Sequence, residues 1–301
     1  MIIALTGLPA QRAAAQAWVG DGDNLSVSLD YSYAPSDTVY ESWENRDIIR
    51  TGEDPIVNHS LVFGAEYNPI KRLALQVGVP LIATRYDAPE GSTFPRHGRY
   101  DDGDYHLVLQ DLRVDARYMV LGNEIVAIAP HIALSVPLTD YETQGFANGG
   151  RGLKQLIFGL SVGKYFTSGV PDLYLHGRYE FRWTEGYETA FPETAEYGQN
   201  KSGMQFLIGY FVLNRLEINL AADLQLAHGG FVFEDYVENE PDPGTYFHDA
   251  LLAEQFFLFG GGASYQVTDR LRLSAFARVW LWGEQTRNAS AYGLGASWDV
   301  M

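Results

Sequence analysis

From Leu25 to the last residues, the chain repeats a unit of about ten residues in which apolar and polar side chains alternate before a break. Successive side chains in a β-strand point to opposite faces, whereas a helix would need apolar residues three and four apart. The first unit sets one apolar face against one polar face: Leu25, Val27, Leu29, Tyr31 and Tyr33 against Ser26, Ser28, Asp30 and Ser32. The repeat is typical of a transmembrane antiparallel β-barrel, in which one face meets lipid and the other meets a wet lumen.

We predict about twelve strands in one up-and-down barrel, centred near residues 28, 63, 78, 113, 131, 160, 177, 208, 222, 259, 276 and 295. The odd-numbered breaks are long, except the last near Glu284 to Asn288: Ala34 to Val57, Arg85 to Gly103, Thr139 to Gly152, Thr184 to Asn200 and Gly229 to Asp249. The even-numbered breaks are tight and rich in turn formers: Asn68 to Lys71, Gly122-Asn123, Thr167 to Gly169, Asn214-Arg215 and Val267 to Asp269. This sorting of loops is that of bacterial outer-membrane barrels, with both termini in the periplasm.

No linker or shift in composition divides the chain, so residues 18–301 are predicted to form a single domain. Met1 to Ala17 is predicted to be a residual signal peptide, because Ile2 to Leu5 is apolar and Ala15 to Ala17 fits a cleavage site. The mature chain is expected to begin near Trp18. No apolar run reaches the length of about eighteen residues that a transmembrane helix needs. Zero cysteines exclude disulfides, thiol catalysis and cysteine-bound metals.

The formal net charge of -17 at pH 7 argues against nucleic acid as a partner, because phosphate binding needs a basic surface. Much of the acid lies in three long breaks: Glu41, Glu44, Asp47, Glu53 and Asp54; Glu185, Glu188, Glu193 and Glu196; Glu234, Asp235, Glu238, Glu240 and Asp242. We interpret these as solvated loop surface, with divalent-cation bridging to lipopolysaccharide as an alternative. The implied partners are the lipid bilayer, lipopolysaccharide and a small-molecule solute, and an oligomer or an envelope protein partner stays open.

Aromatic residues near the strand ends are predicted to form girdles on the outer face, at the lipid interfaces. These residues are Tyr31, Tyr33, Tyr67, Tyr118, Phe166, Tyr179, Trp183, Tyr265 and Trp298. The same alternation assigns other aromatic side chains to the lumen: Tyr174, Phe276, Trp280, Trp282 and Phe256. Beside arginine they could form a path for aromatic or amphipathic solutes, or they could simply fill the interior. A register error of one residue would move them to the lipid face.

Charged residues alternate along the predicted inner faces of three strands. They are Asp111, Arg113, Asp115 and Arg117 on the fourth strand, His176, Arg178, Glu180 and Arg182 on the seventh, and Arg270, Arg272 and Arg278 on the eleventh. One interpretation is that they pair with carboxylates such as Glu217, Asp223 and Glu254 in ladders that only solvate the lumen. The other interpretation is a charged constriction that selects solutes by the sign of their charge. The two interpretations are compatible.

Three stretches carry a resemblance to a known family: Val77 to Leu81, Gln110 to Tyr118 and Leu134 to Thr139. They resemble the outer-membrane transporters of the phenol-degradation meta-pathway (MetA-like) family, in which a Val-Pro-Leu-like strand end precedes Gly-Asp and a Leu-Pro-Thr-Gly-like strand end follows. Here Gln110 replaces the glycine before Asp111, Leu138 precedes Thr139, and the chain ends on Met301 where such barrels usually end on Phe. The resemblance implies a barrel channel for small molecules such as aromatic compounds.

An enzymatic alternative finds little support in the sequence. Outer-membrane lipid hydrolases need a serine–histidine pair on the outer face, yet no histidine stands in a His-x-Ser arrangement. His131 and Ser135 share an inward face but lie about 13 Å apart along a strand. Gly260 to Gly262 falls within a strand, and there is no phosphate loop or His-Glu-x-x-His motif. We therefore predict no catalytic residue, no cofactor and no metal.

These observations together predict a porin-like outer-membrane channel that passes small solutes, such as aromatic or amphipathic ones, through a polar lumen. The main alternative is a structural or interaction barrel that acts through its long acidic extracellular loops. A lipid-modifying enzyme is the third interpretation.

Overall fold

The structure, a computed structural model, describes residues 17–20, 22–42, 47–50, 55–87, 100–123, 125–185, 200–232 and 248–300. Strands dominate this part of the chain, which also contains a short helix at His248–Leu251. The strands are β1 (Asn24–Ser36), β2 (Thr38–Ser42), β3 (Asp47–Arg50), β4 (Ile56–Ile70), β5 (Leu73–Arg85), β6 (His106–Leu109), β7 (Asp111–Tyr118), β8 (Leu121–Gly122), β9 (Val126–Pro137), β10 (Gln155–Tyr165), β11 (Leu173–Thr184), β12 (Asn200–Leu213), β13 (Leu216–His228), β14 (Gln255–Gln266), β15 (Leu271–Glu284), β16 (Thr286–Arg287) and β17 (Ala291–Asp299). No helix in these ranges is long and apolar enough to cross a membrane.

Twelve strands close into an antiparallel barrel in the order β1-β4-β5-β7-β9-β10-β11-β12-β13-β14-β15-β17. The last strand pairs with the first, from Ser26 opposite Asp299 to Tyr33 opposite Tyr292. Closure leaves no unpaired edge, which hydrocarbon would not tolerate. The prediction of a closed antiparallel barrel of twelve strands is confirmed, and each predicted strand centre lies within one of these strands.

The two faces of the wall differ as the alternation predicts. In β1, Leu29 is 42% exposed on the outside while its neighbour Asp30 is 6% exposed on the inside. Most residues predicted for the girdle are exposed on the outer face: Tyr31, Tyr67, Tyr118, Tyr179, Trp183, Tyr265 and Trp298. The interior instead buries charged and polar groups, so this barrel encloses a polar lumen.

The fourth barrel strand is interrupted at Gln110, which separates β6 from β7. Both pieces pair with β5, but Leu81 lies opposite Leu109 and Gly78 lies opposite Arg113, so the fourth strand carries an extra residue between these pairs. Gln110 N donates to Pro80 O at 2.9 Å. Because proline has no N–H to donate to a neighbouring strand, a bulge opposite Pro80 is expected.

The segment between β9 and β10, residues 138–154, folds into the barrel and is called here the inner loop. Tyr141, Phe146 and Leu153 are each less than 10% exposed, and Asn148 is fully buried. Phe146 N and Ala147 N donate to the Asp101 carboxylate at 3.0 and 2.7 Å. The inner loop therefore lies across the end of the lumen that carries the long connections.

Residues 17–20 lie inside the opposite end of the barrel. Ala17 and Val19 pack with Ala127 and Ala129 of β9, and the Trp18 ring lies alongside. Trp18 Nε1 donates to Asn123 O at 2.9 Å, in the tight turn before β9. The predicted signal peptide falls almost entirely on residues 1–16, which lie outside the described ranges.

Candidate functional site in the lumen

Five residues form the central charge cluster: the buried Asp115, His131, Arg178 and Glu180, and the partly buried Arg113. Arg113 Nη2 and Arg178 Nη2 each lie 2.6 Å from Glu180 Oε1. Arg178 Nη2 also lies 3.1 Å from Asp115 Oδ2, and Arg113 Nη2 lies 3.3 Å from the same oxygen. His131 Nε2 is 3.3 Å from Glu180 Oε1. Charge-assisted bonds of this length hold the five side chains together.

These contacts cross the lumen. Arg113 and Asp115 stand on β7, whereas Arg178 and Glu180 stand on β11, and β9 and β10 separate those strands in the barrel wall. Gly159 of β10 makes room for the crossing, because a Cβ there would lie 2.4 Å from His131 Nε2. The sequence places all four charged residues on inner faces, and the structure brings them together as a bridge between two walls.

The central charge cluster contains a geometry that resembles a metal site. Single donor atoms of Asp115, His131 and Glu180 all lie within 4.8 Å of one another. However, the guanidinium groups of Arg113 and Arg178 already occupy positions 2.6 to 3.3 Å from those carboxylate oxygens. A divalent cation would have to displace both groups against their charge, so the donor set does not suit a metal.

A second buried centre, the Glu254 cluster, surrounds one carboxylate at the long-loop end. Arg151 Nη2 and Lys201 Nζ lie 3.0 and 3.2 Å from Glu254 Oε2. Gln225 Nε2 donates to the same oxygen at 3.2 Å, and Thr286 Oγ1 donates to Glu254 Oε1 at 3.3 Å. Arg151 belongs to the inner loop, so this cluster fastens that loop to the β13–β14 wall. Sequence reasoning named Glu254 only as a candidate partner and missed Lys201 and Arg151.

Arg182 connects the two clusters. Its Nη1 donates to Gln225 Oε1 at 3.2 Å, and its Nη2 lies 3.3 Å from Glu180 Oε2. Further toward the tight-turn end, Arg117 Nη2 lies 3.2 Å from Glu66 Oε2. His176 is 2% exposed, and among the described residues neither of its ring nitrogens has a hydrogen-bond partner. Ionic contacts therefore line the lumen from β4 to β13.

The opposite wall carries the predicted aromatic residues. Arg278 Nε lies 3.2 Å from Asp223 Oδ2, and its guanidinium carbon lies 5.8 Å from the centre of the Phe276 ring. Trp280 stacks on Tyr40 with ring centres 4.6 Å apart. Phe276, Arg278 and Trp280 thus form one apolar and cationic track along β15.

Other predicted residues occupy the ends of the lumen. Tyr174 is 1% exposed, packs with Leu207 and donates a hydrogen bond to Glu217. Arg272 Nε donates to Gln266 Oε1 at 3.0 Å, close to the tight turn before β15. Asp111 accepts a hydrogen bond from the Tyr141 hydroxyl of the inner loop.

Two inner-face assignments are wrong. Arg270 is exposed in the tight turn before β15, because the strand begins one residue later, at Leu271. Trp282 lies opposite Phe257 of β14 and faces outward, whereas Trp280 lies opposite the inward-facing Leu258. The cause is a bulge in β15 at Leu281. The bulge adds one residue and reverses the alternation beyond it. Trp280 keeps its predicted inward position.

Burial shifts the pKa of three groups in the connections. Arg287 Nη2 donates to Phe146 O at 2.7 Å, and burial lowers the pKa of Arg287 to about 9, so the group stays cationic at neutral pH. Burial, followed by the charges of Asp101 and Asp87, raises the pKa of Tyr86 to about 12. Burial and the Asp111 charge raise the pKa of Tyr141. At neutral pH the hydroxyls of Tyr86 and Tyr141 therefore stay protonated.

The outer face presents one pair that sequence spacing missed. Ser202 Oγ lies 2.6 Å from His228 Nε2 and 3.1 Å from the Tyr179 hydroxyl. The residues are 26 positions apart, and they meet because β12 and β13 pair with Asn200 opposite His228. Ser202 is only 4% exposed, and the His228 ring stacks on Phe181. This packing fits an aromatic rim, since a nucleophilic serine must be reachable.

A closed twelve-stranded barrel with an apolar exterior and a charged lumen is the fold of outer-membrane β-barrels. Among solved structures, the chain is similar to the COG4313 outer membrane channel from Pseudomonas putida F1, with a TM-score of 0.69 and 12% identity over 94% of this chain and 98% of that one. It is also similar to the NanC porin, with a TM-score of 0.51 and 9% identity over 91% of this chain and 98% of that one.

At these identities the likeness establishes the fold alone. No protein-family model matches the sequence, and no curated protein matches it. The resemblance to transporters of the phenol-degradation meta-pathway therefore stays a prediction.

Proposed function

We propose that this protein is a bacterial outer-membrane channel that passes small solutes through the barrel lumen. The observation that carries the proposal is the interior itself, where ion pairs such as Arg113–Glu180 cross between walls while the outer face is apolar. A barrel with a purely structural interior would be more simply filled with apolar side chains, since buried ion pairs add little to stability. The structural neighbours named as a channel and a porin support the same class.

Small aromatic or amphipathic molecules are the proposed solutes. The track of Phe276, Arg278 and Trp280 places aromatic rings beside a guanidinium group, which suits a solute with an apolar body and a polar end. The resemblance to phenol-degradation meta-pathway transporters supports this choice. We place both termini and the tight turns in the periplasm, with residues 18–301 as the mature domain.

Passage requires movement, because the inner loop, the central charge cluster and residues 18–20 each occupy part of the lumen. The first two are held by polar contacts that water or a solute can replace. We therefore expect brief openings rather than a permanently wide pore.

Recordings from the purified barrel in planar lipid bilayers test the proposal. Discrete conductance steps whose ion preference changes in Arg113→Ala or Arg278→Ala support the channel. A correctly folded barrel that stays silent at all voltages would overturn it, in favour of an interaction role for the acidic loops. Release of fatty acid from detergent–phospholipid micelles would instead support a lipid-modifying enzyme.

A further inference from the structure

Two cations, Arg182 of β11 and Lys201 of β12, stand directly opposite each other in the barrel wall. Both side chains face the lumen, since Lys201 reaches Glu254 and Arg182 reaches Glu180. Like charges directly across a strand pair repel each other, so this arrangement is unfavourable without a counterion. Lys201 is also only 3% exposed, so water contributes little compensation.

The nearby carboxylates are shared with other cations. Glu254 Oε2, which lies 3.2 Å from Lys201 Nζ, also lies 3.0 Å from Arg151 Nη2. Glu180, which Arg182 contacts at 3.3 Å, receives the shorter 2.6 Å contacts of Arg113 and Arg178. The other partner of Arg182, the Gln225 amide, carries no charge. An additional negative charge beside the Arg182–Lys201 pair would therefore be favourable.

We infer that Arg182 and Lys201 bind the anionic end of the transported solute, a carboxylate or another small oxyanion. A planar guanidinium fork beside an ammonium group matches the oxygens of such an anion. The Phe276 to Trp280 track on the other wall would receive the apolar body of the same molecule. This inference rests on the proposed channel function and specifies that the solute carries a negative charge.

The acidic residues of the chain, whose formal net charge is -17, act in the opposite sense, because a negatively charged protein enriches cations near its surface. Their effect can be separated by salt, since at about 1 M salt charges more than about 3 Å away are largely screened. A preference for anions over potassium that persists at this salt concentration therefore comes from close contacts inside the lumen.

The experiment measures reversal potentials across bilayers that hold the purified full-length barrel between unequal solutions of potassium chloride, potassium acetate or potassium phosphate. We expect the wild-type channel to prefer each anion over potassium. Lys201→Gln and Arg182→Gln should each lower the anion-to-potassium permeability ratio several-fold, while Lys201→Arg keeps it. Lys154→Gln is the matched control, because Lys154 is an exposed lysine paired with Glu185 outside the lumen.

A wild-type preference for potassium at high salt would overturn the inference, as would unchanged ratios in both glutamine variants. The preference of the wild-type channel, for anions or for potassium, tests the inference by itself. A variant that fails to fold therefore does not leave the inference untested. A selective loss of acetate preference, with chloride and phosphate unaffected, would identify the site as one for organic carboxylates. A folded barrel with no conductance would instead contradict the proposed channel function.

Discussion

Arg113 Nη2 and Glu180 Oε1 lie 2.6 Å apart although two further strands separate β7 from β11 in the wall. Glu180 also receives Arg178 and Arg182. We predict that Glu180→Gln destabilises the barrel by about 3–5 kcal/mol, because it leaves three buried guanidinium groups short of a counterion. Urea unfolding in lipid vesicles, followed by tryptophan fluorescence, measures the change.

The matched control is Glu185→Gln. Glu185 Oε2 also pairs with a cation, Lys154 Nζ at 3.2 Å, but the two side chains are 32% and 63% exposed. Exposed pairs contribute little, so the expected loss is below about 1 kcal/mol. If both variants lose the same free energy of unfolding, the central charge cluster contributes no more to stability than a surface ion pair.

The contact between Arg151 and Glu254 is predicted to be a latch on the inner loop. Because the chain contains no cysteine, a pair introduced as Arg151→Cys and Glu254→Cys can be joined by a reducible dithiol-specific linker without side reactions. We expect linkage to reduce single-channel conductance and the frequency of openings, and reduction to restore both.

A second linked pair controls for the chemistry. Thr139 Oγ1 donates to Leu109 O at 2.8 Å where the inner loop begins, so linking these positions leaves the far end of the loop able to move. Conductance that falls equally in both linked pairs, or in neither, would contradict the latch.

Residues 18–20, at the start of the proposed mature domain, are predicted to narrow the tight-turn end of the lumen. At Gly163, a Cβ would lie 2.2 Å from the Trp18 ring. Gly163→Ala should therefore displace this segment and raise single-channel conductance. Gly78→Ala is the control, because a Cβ at Gly78 meets nothing within 4 Å. If the two substitutions have the same effect, the segment does not limit conduction.

The Ser202–His228 pair is predicted to be catalytically silent. The serine is 4% exposed, and the pairing of β11, β12 and β13 engages the backbone amides that an oxyanion hole would need. A fluorophosphonate probe should not label the folded protein in micelles, and Ser202→Ala should leave conductance unchanged. Labelling that disappears in Ser202→Ala would establish an enzymatic serine instead.

Strand number and the orientation of most inner residues could be predicted from sequence, because a dyad pattern is local and repeats. Trp282 escaped prediction because one bulge at Leu281 reverses the pattern, and nothing in the alternation marks it. The fourth strand was expected to be continuous, yet Pro80 on its neighbour gives it an extra residue at Gln110. Local propensity predicts strands well, whereas a neighbouring strand decides where a strand bulges.

The site was less predictable, because its contacts depend on the width of the barrel. Arg113 and Glu180 are 67 residues apart and meet only across the lumen. Arg151 escaped prediction because it stands in a long connection without any alternating pattern. Lys201 does follow the inward positions of β12. Its place opposite Arg182, however, depends on the register between β11 and β12, which the structure supplies.

The pairing of β17 with β1 has a consequence for how this protein is made. The barrel cannot close until the last strand is available, because β1 pairs with β17. Until then both edges stay unpaired, and exposed strand edges aggregate in water and are unfavourable in lipid. A chain truncated before Ala291 lacks β17 and should therefore fail to form a closed barrel.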